Sequence, residues 1–129
     1  MVIEPKVKGF ICITAHPDGC EENVRRAVEY SLSHKSIADN GPKNVLVIGS
    51  STGYGLASRI TAAFAFGAAT VGVAYERPSS GRRTASAGWY NNAAFEKYAA
   101  KYDIPFDSLN GDAFSDDMKA QTIEAIKNT

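Results

Sequence analysis

The stretch Val45–Ile60, which reads VLVIGSSTGYGLASRI, decides the fold of this chain. It opens with the aliphatic run Val45–Ile48, a composition typical of a parallel strand that is buried on both faces. Glycines follow at three of the next seven positions, and apolar side chains then recur at helical spacing, at Leu56, Ile60, Ala63 and Phe64. The stretch therefore predicts a strand, a tight glycine loop and an amphipathic helix.

The glycines of the loop are spaced G-x-x-x-G-x-G, the spacing of the short-chain reductase form of the dinucleotide-binding loop. We expect Gly49 to turn the chain off the strand, Gly53 to let the backbone approach a pyrophosphate, and Gly55 to let the helix pack closely. The positive end of the helix is expected to receive the phosphate charge, helped by the hydroxyls of Ser50, Ser51 and Thr52. Because many glycine turns join strands to helices without any ligand, the loop alone is weak evidence.

An acidic residue, Glu76, follows the second predicted strand, Ala69–Tyr75, and lies 21 positions after Gly55. An acid at this place can bind the adenosine ribose hydroxyls and repel a 2′-phosphate, so it predicts NADH in preference to NADPH. A solvated glutamate at a strand end is the simpler alternative. Arginines in the following loop leave the preference open, since they suit a 2′-phosphate or a solvated loop equally: Arg77, Arg82 and Arg83.

Two further features are candidates for a site. Asp112 follows the third predicted strand, near residues 105–109, where a side chain can reach an adenine ring. A turn or capping aspartate explains it equally well. Residues 77–88 form a long loop of Pro, Ser, Gly and Arg, and loops of that length in a compact domain are usually functional or mobile.

Strands and helices alternate from Asn44 onward, which predicts an α/β fold: a Rossmann-type parallel sheet with flanking helices. A β segment, Val7–Thr14, and a helix with Asp18 as its cap are expected before it. A helix from about Tyr90 to Tyr102 and a last helix capped by Ser115 are expected after the second strand, the last with four residues facing inward: Met118, Thr122, Ile123 and Ile126. We divide the chain into an N-terminal β segment, helix and linker, residues 1–43, and a Rossmann-type portion, residues 44–129.

The composition is that of a soluble globular protein, with 14 basic and 14 acidic side chains among 129 residues. Nothing in this balance indicates a nucleic-acid partner, and no apolar run is long enough to span a membrane, so we expect a cytoplasmic protein. Cys12 and Cys20 are expected to be reduced thiols, and His16 a turn residue before a helix, because no set of metal ligands accompanies them.

Several motifs together resemble the FabV-type enoyl-acyl-carrier-protein reductases and their trans-2-enoyl-CoA reductase relatives. They are the glycine loop Gly49–Ile60, the stretches Gly88–Asn91 and Asn110–Asp116, and an N-terminus with Gly9–Cys12, His16–Pro17 and Gly19–Cys20. The resemblance covers nearly the whole chain. It implies contacts of Gly49, Ser50, Ser51, Thr52, Gly53 and Tyr54 with the NADH pyrophosphate, of Tyr75 and Glu76 with the adenosine ribose, and of Asp112 and Ala113 with the adenine. The roles of Tyr75 and Ala113 come from the resemblance alone.

The resemblance implies that the complete enzyme uses NADH to reduce a trans-2-enoyl thioester, carried by coenzyme A or acyl carrier protein, in fatty acid synthesis. Members of the family are about three times longer, and their catalytic Tyr, with a Lys nine positions later, lies beyond residue 129. No Tyr of this chain has a Lys nine or four positions after it, so we expect no turnover from these residues alone.

Two alternatives remain from the sequence: a dinucleotide-binding or structural fragment without catalysis, and an S-adenosylmethionine-dependent methyltransferase, which also uses a glycine loop and an acid after the second strand. We also expect Val45–Ile48 to be an open sheet edge, which favours self-association over coverage by residues 7–14.

Overall fold

The computed structural model describes residues 2–35 and 40–129, so residues 36–39 of the predicted linker, 33–43, lie outside the described residues. The elements follow in chain order as β1 (Val7–Lys8), β2 (Ile11–Cys12), α1 (Pro17–Leu32), β3 (Asn44–Ile48), α2 (Gly53–Ile60) with a π-helical continuation (Thr61–Ala65), β4 (Ala69–Ala74), α3 (Ala87–Lys101), β5 (Phe106–Asn110) and α4 (Asp116–Asn128).

The central sheet has the order β3-β4-β5, and both strand pairs are parallel. Val45 is in register with Thr70, and Thr70 with Phe106, so the carboxyl ends of all three strands meet at one edge. The predicted α/β fold is thereby confirmed.

Helices cover the sheet on both faces. Arg59 of α2 donates to Thr70 of β4, whereas Ile126 of α4 lines a groove together with Val71, the next residue of the same strand. Because neighbouring residues of a strand point to opposite faces, α2 and α4 lie on opposite sides of the sheet. This is the layering of a doubly wound fold.

The main hydrophobic core lies between the sheet and the helices α1, α2 and α3. Phe64 and Phe95 meet there edge to face with 5.7 Å between ring centroids. Val24 and Val28 of α1 belong to the same buried cluster, and Leu56 packs against it. The helical stripe predicted from apolar spacing for α2 therefore faces the core, and α1 shares one core with the Rossmann-type portion.

Arg59 is fully buried within this core, which the sequence analysis did not anticipate. Its guanidinium lies 4.1 Å from the centroid of the Phe95 ring and donates to the backbone oxygen of Asp107 at 2.7 Å and to Ser108 Oγ at 3.0 Å. A Cβ on Gly72 would lie 2.3 Å from Nη1, so only glycine at this place in β4 leaves room for the arginine. Burial lowers the pKa of Arg59 to about 10, although the nearby acids Glu96 and Asp107 act in the opposite direction.

The N-terminal segment differs from the expectation. The single strand predicted for Val7–Thr14 is instead an antiparallel hairpin, in which Val7 lies opposite Cys12 and Lys8 opposite Ile11. Gly9 adopts a φ of 63° in the turn, a conformation that breaks an extended strand. The hairpin forms its own small sheet and does not pair with β3.

The helix termini also differ in part. His16, not Asp18, caps α1, because its ring nitrogen Nδ1 accepts a hydrogen bond from the Gly19 N–H at 3.4 Å. This confirms His16 as a turn residue before a helix. The prediction of Ser115 as the cap of α4 is also confirmed, since its Oγ accepts from the Met118 N–H.

Two predicted positions on the helices were wrong. Helix α3 begins at Ala87 rather than near Tyr90, because Ser86 occupies its N-cap position and the glycine at 88 packs closely on the sheet edge. On α4 the buried stripe runs through Met118, Thr122 and Ala125, which leaves Ile123 and Ile126 about half exposed. These two isoleucines therefore lie beside, and not within, the face of α4 that meets β4 and β5.

Candidate dinucleotide site

The glycine loop has the backbone geometry that its spacing predicts. Gly49 has a φ of 80° and Gly53 a φ of 53°, values that favour glycine. A Cβ on Gly55 would lie 1.9 Å from the Gly49 carbonyl oxygen, so the helix can approach the loop this closely only with glycine at 55. The N–H groups of Gly49 and Ser50 both donate to the Val73 carbonyl, at 2.8 and 3.1 Å. The amides left for an anion are therefore those at the start of α2.

The three hydroxyls of the loop have different surroundings. Ser50 is fully buried and donates to the Val73 carbonyl at 3.3 Å, and Ser51 donates to the Glu76 carboxylate at 2.5 Å. Thr52 is exposed at the N-cap of α2 and makes no capping hydrogen bond with its side chain. Of the three predicted phosphate-binding hydroxyls, Thr52 is thus the one that faces the solvent, and the neighbouring Tyr54 is 95% exposed.

Glu76 is held against the glycine loop and the start of α3. One carboxylate oxygen accepts from Ser51 Oγ and the other from Ser86 Oγ, each at 2.5 Å. A Cβ on Gly88 would lie 2.2 Å from Glu76 Oε1, so the glycine lets α3 begin directly beside the carboxylate. The two serines thereby fix the orientation of the acid that the sequence predicts to bind the ribose.

The ends of the strands are tied together at the same edge. Asn110, the last residue of β5, accepts from the Glu76 N–H with Oδ1 at 2.7 Å and donates from Nδ2 to the Glu76 carbonyl at 2.9 Å. Asn91 of α3 donates to the Ser51 carbonyl at 2.9 Å. The glycine loop, the end of β4 and the end of β5 therefore form one connected rim, the place where ligands bind in open α/β sheets.

The remaining predicted site residues lie on the exposed side of this rim. Asp112 is exposed, and its Oδ1 accepts from the Phe114 N–H at 2.9 Å, which is the turn role that the sequence left open. Tyr75 is 78% exposed, and Ala113 is half-buried. Contacts of these residues with a cofactor stay predictions.

Four residues that build the rim were not predicted from the sequence as site residues: Ser86, Gly88, Asn91 and Asn110. The signal for Ser86 is a serine just before an apolar helical repeat, which is the signature of an N-cap. The others act through tertiary contacts with residues 12 to 40 positions away, and no local pattern predicts such contacts.

The residues present fit a dinucleotide. A Cβ on Gly53 would meet nothing within 4 Å, so the space in front of the loop is open where a phosphate would approach the helix start. In the part of the chain that the structure describes, no group of His, Cys, Asp and Glu side chains could hold a metal ion. Among these same residues no helix has the length and apolar character needed to cross a membrane.

Comparison with known proteins also indicates a dinucleotide-binding domain. Residues 2–81 match the family model described as the NAD(P)H binding domain of trans-2-enoyl-CoA reductase, and residues 83–129 match the trans-2-enoyl-CoA reductase catalytic region.

Curated relatives and solved structures agree. The enoyl-[acyl-carrier-protein] reductases [NADH] of Yersinia pestis (strain Pestoides F) and Burkholderia multivorans are each 58% identical over 127 residues, which are 98% of this chain and 32% of the relative. The crystal structure of Treponema denticola trans-2-enoyl-CoA reductase in complex with NAD matches with a TM-score of 0.92 and 46% identity over 99% of this chain and 33% of that one. That of the Clostridium acetobutulicum enzyme in complex with NADH has a TM-score of 0.90, with 39% identity over 99% of this chain and 32% of that chain.

The chain spans about a third of the length of the curated relatives it matches. The family models nevertheless account for nearly all of its residues, and the first alone covers more than half. This chain belongs to the trans-2-enoyl-CoA reductase family, and its glycine loop lies in the family's NAD(P)H-binding domain.

Proposed function

We propose that this chain binds NADH as the cofactor-holding part of an enoyl-thioester reductase. The observation that carries the proposal is the placement of Glu76 by Ser51, which joins the ribose-binding acid to the glycine loop by one hydrogen bond. Family membership removes the methyltransferase alternative that the loop and the acid left open. A part that binds the dinucleotide without turnover is still consistent with the residues present.

For the complete protein, we propose reduction of a trans-2-enoyl thioester of coenzyme A or acyl carrier protein to the saturated acyl thioester in fatty acid synthesis. NADH supplies the hydride for this reaction when it is bound. The residues described above would hold the pyrophosphate at the α2 amides and Thr52, and the adenosine ribose at Glu76. Acid catalysis is proposed to come from a Tyr and Lys outside residues 1–129, because no Tyr in this sequence has the required Lys partner.

Removing the charge of Glu76 should reduce the difference in affinity between NADH and NADPH. In isothermal titration calorimetry the native chain should bind NADH more tightly than NADPH, because the carboxylate accepts from ribose hydroxyls and repels a 2′-phosphate. Glu76→Ala should reduce this ratio of dissociation constants by roughly tenfold, about the effect of one charge-assisted hydrogen bond.

Glu76→Gln serves as the matched variant, because it removes the charge and keeps a side chain of the same size between Ser51 and Ser86. Glu124→Gln, on the exposed α4, controls for the net charge. An unchanged cofactor ratio in both Glu76 variants would contradict the assignment of the acid. A native, folded chain that fails to bind NADH at all would contradict the proposed function.

We also propose that the protein is cytoplasmic and that this chain self-associates through the free edge of β3. Within the described residues β3 pairs only with β4, and Leu46 and Ile48 are 43% and 64% exposed on it. An unpaired strand edge with apolar side chains is a template for pairing with another chain.

Light scattering over a concentration series should therefore show a mass that rises above that of one chain. Ile48→Lys should restore the monomer, because a charge on an edge strand opposes edge-to-edge pairing. Ile123→Lys makes the same change at an exposed isoleucine of α4, away from this edge, and is not expected to change the mass. A strictly monomeric native chain at high concentration would refute the proposed association.

A further inference from the structure

In the part of the chain that the structure describes, Arg59 is the only charged side chain that is buried. The groups that accept its hydrogen bonds are all neutral, namely the hydroxyls of Thr70 and Ser108 and the backbone oxygen of Asp107. None of the ion pairs formed by residues 2–35 and 40–129 involves Arg59. Because a buried charge is normally paired with an opposite one, this cation lacks a counter-charge in contact with it.

One nitrogen of the Arg59 guanidinium has no hydrogen-bond partner. Nη1 is buried, and no acceptor among the described residues reaches it. Its place is marked by Gly72, because a Cβ on that glycine would lie 2.3 Å from Nη1 and 2.7 Å from Ser50 Oγ. Nη1 and the Ser50 hydroxyl therefore border the same small space beside β4, and the guanidinium lies next to the first residues of the glycine loop.

Arg59 belongs to the helix whose first amides are the proposed pyrophosphate site. It follows Gly53 by six positions, which is roughly 9 Å along a helix axis. Side chains of a helix lean toward its N-terminus, and the position of the guanidinium close to Ser50 agrees with this direction. The charge is thereby carried toward the α2 amides, on the interior side of the glycine loop.

The buried position makes the charge of Arg59 effective over a longer distance. Water and salt screen a charge in the interior much less than a charge on the surface. Burial lowers the pKa of Arg59 to about 10, so the side chain is still protonated at neutral pH. The carboxylates of Glu96 and Asp107 offset part of this charge from nearby, but both residues are half-buried and neither carboxylate forms an ion pair with Arg59.

We propose that the buried positive charge of Arg59 strengthens the binding of the cofactor's pyrophosphate from beneath the glycine loop, so that the phosphates act as a counter-charge for this cation. The inference rests on the proposed function and adds to it a residue that sets the affinity for ligands with phosphate groups. The amides at the start of α2 supply hydrogen bonds and the partial charge of a helix end. Arg59 adds a full charge to them without touching the ligand.

The variants Arg59→Met and Arg59→Lys separate the charge from the structural contacts. Both lose the hydrogen bonds of the guanidinium fork to β5, but only lysine keeps a positive charge. In calorimetry at about pH 6, where a buried amine is more readily protonated, Arg59→Met should bind NADH about tenfold more weakly than the native chain, as expected for one buried charge acting over about 10 Å. Arg59→Lys should recover most of this affinity.

Two ligands show whether the phosphates are what Arg59 acts on. ADP contains a pyrophosphate and adenosine contains none, and NMR titration can follow both. Arg59→Met should weaken ADP binding as it weakens NADH binding and leave adenosine binding within about twofold, because a charge acts on the charged ligand. The matched control Arg26→Met removes an exposed arginine of α1 and should change none of these affinities. Equal losses for ADP and adenosine, without recovery by lysine, would mean a purely structural role and overturn the proposal.

A variant that keeps Arg59 tests the same effect even if the Arg59 variants do not fold. Glu96→Gln removes a carboxylate that offsets the charge of the guanidinium and changes the side-chain shape little. It should strengthen the binding of NADH and ADP by about twofold to fivefold and leave that of adenosine unchanged. Glu124→Gln, at an exposed acid of α4, is the matched control for net charge. A Glu96 variant with no more effect than this control would contradict the proposal.

Inorganic pyrophosphate separates this proposal from the proposed function. Binding of NADH that Arg59→Met and Glu96→Gln leave unchanged overturns the role of Arg59 and leaves the proposed function intact. A native chain that binds pyrophosphate in a manner dependent on Arg59, but does not bind NADH, supports the role of the charge and overturns the proposed function. A folded native chain that binds neither ligand overturns both.

Discussion

Replacing Gly53 with valine is expected to abolish NADH binding. A Cβ at this position would meet no protein atom within 4 Å, so the added side chain would extend into the open space in front of the α2 amides, where the pyrophosphate is proposed to lie. Loss of the close backbone approach should reduce affinity by about a hundredfold or more, since several charge-assisted hydrogen bonds depend on it. Calorimetry with NADH measures the loss, and circular dichroism reports whether the fold persists.

The control for this variant is Gly67→Val. Gly53 and Gly67 have φ values of 53° and 66°, and a Cβ would be free of contacts at both, so valine should cause a similar backbone strain of about 1–3 kcal/mol. Gly67 follows the π-helical turn and lies away from the rim, so Gly67→Val should bind NADH normally. If Gly53→Val bound NADH as well as the native chain at equal circular dichroism, the assignment of the loop would be wrong.

The second large effect is expected at Arg59. Arg59→Ala should lower the free energy of unfolding by about 3–5 kcal/mol, because it leaves a cavity in the core and removes the donor for Asp107 and Ser108. Domains of this kind are stable by only about 5–15 kcal/mol, so the loss should be visible as a large shift of the urea midpoint.

Arg59→Met distinguishes the two causes, since it refills much of the volume without restoring the hydrogen bonds. Arg59→Met should recover part of the free energy of unfolding that Arg59→Ala loses. Arg26→Ala is the matched control, because Arg26 is a largely exposed arginine whose surface pair with Glu22 should contribute less than about 1 kcal/mol. A loss of less than about 1 kcal/mol for Arg59→Ala would mean that the cost of burying the cation offsets its contacts.

The parts of the fold that depend on local pattern could be predicted from the sequence. The aliphatic run at Val45–Ile48, the alternation of strands and helices from Asn44 onward and the cap at Ser115 all follow from side chains near in sequence, whereas the cap of α1 was predicted at Asp18 and lies at His16. The strained conformations of Gly49 and Gly53 follow from their position between a strand and a helix.

Features that depend on distant contacts could not be predicted. The glycine-loop pattern predicts that the Ser51 hydroxyl helps to bind a phosphate, but the hydrogen bond that it donates to Glu76 requires the packing of β4 beside β3. Arg59 looks like an exposed residue of an amphipathic helix, and its burial depends on Gly72, Phe95 and β5. The loop 77–86 looks irregular, because the hydrogen bonds that close it join residues nine positions apart.

The burial of Arg59 also has a consequence for the order in which the chain folds. Its acceptors lie 11 to 49 positions away in sequence, in β4 and β5. Before β5 docks, placing the guanidinium under the sheet would bury a cation with Thr70 as its one acceptor among these three, which is unfavourable. Helix α2 can therefore settle against the sheet only together with β5, so the glycine loop that we propose binds the pyrophosphate and the last strand form in one cooperative step. Arg59, which stabilises the folded state, therefore disfavours a partly folded chain in which the glycine loop has formed and β5 has not docked.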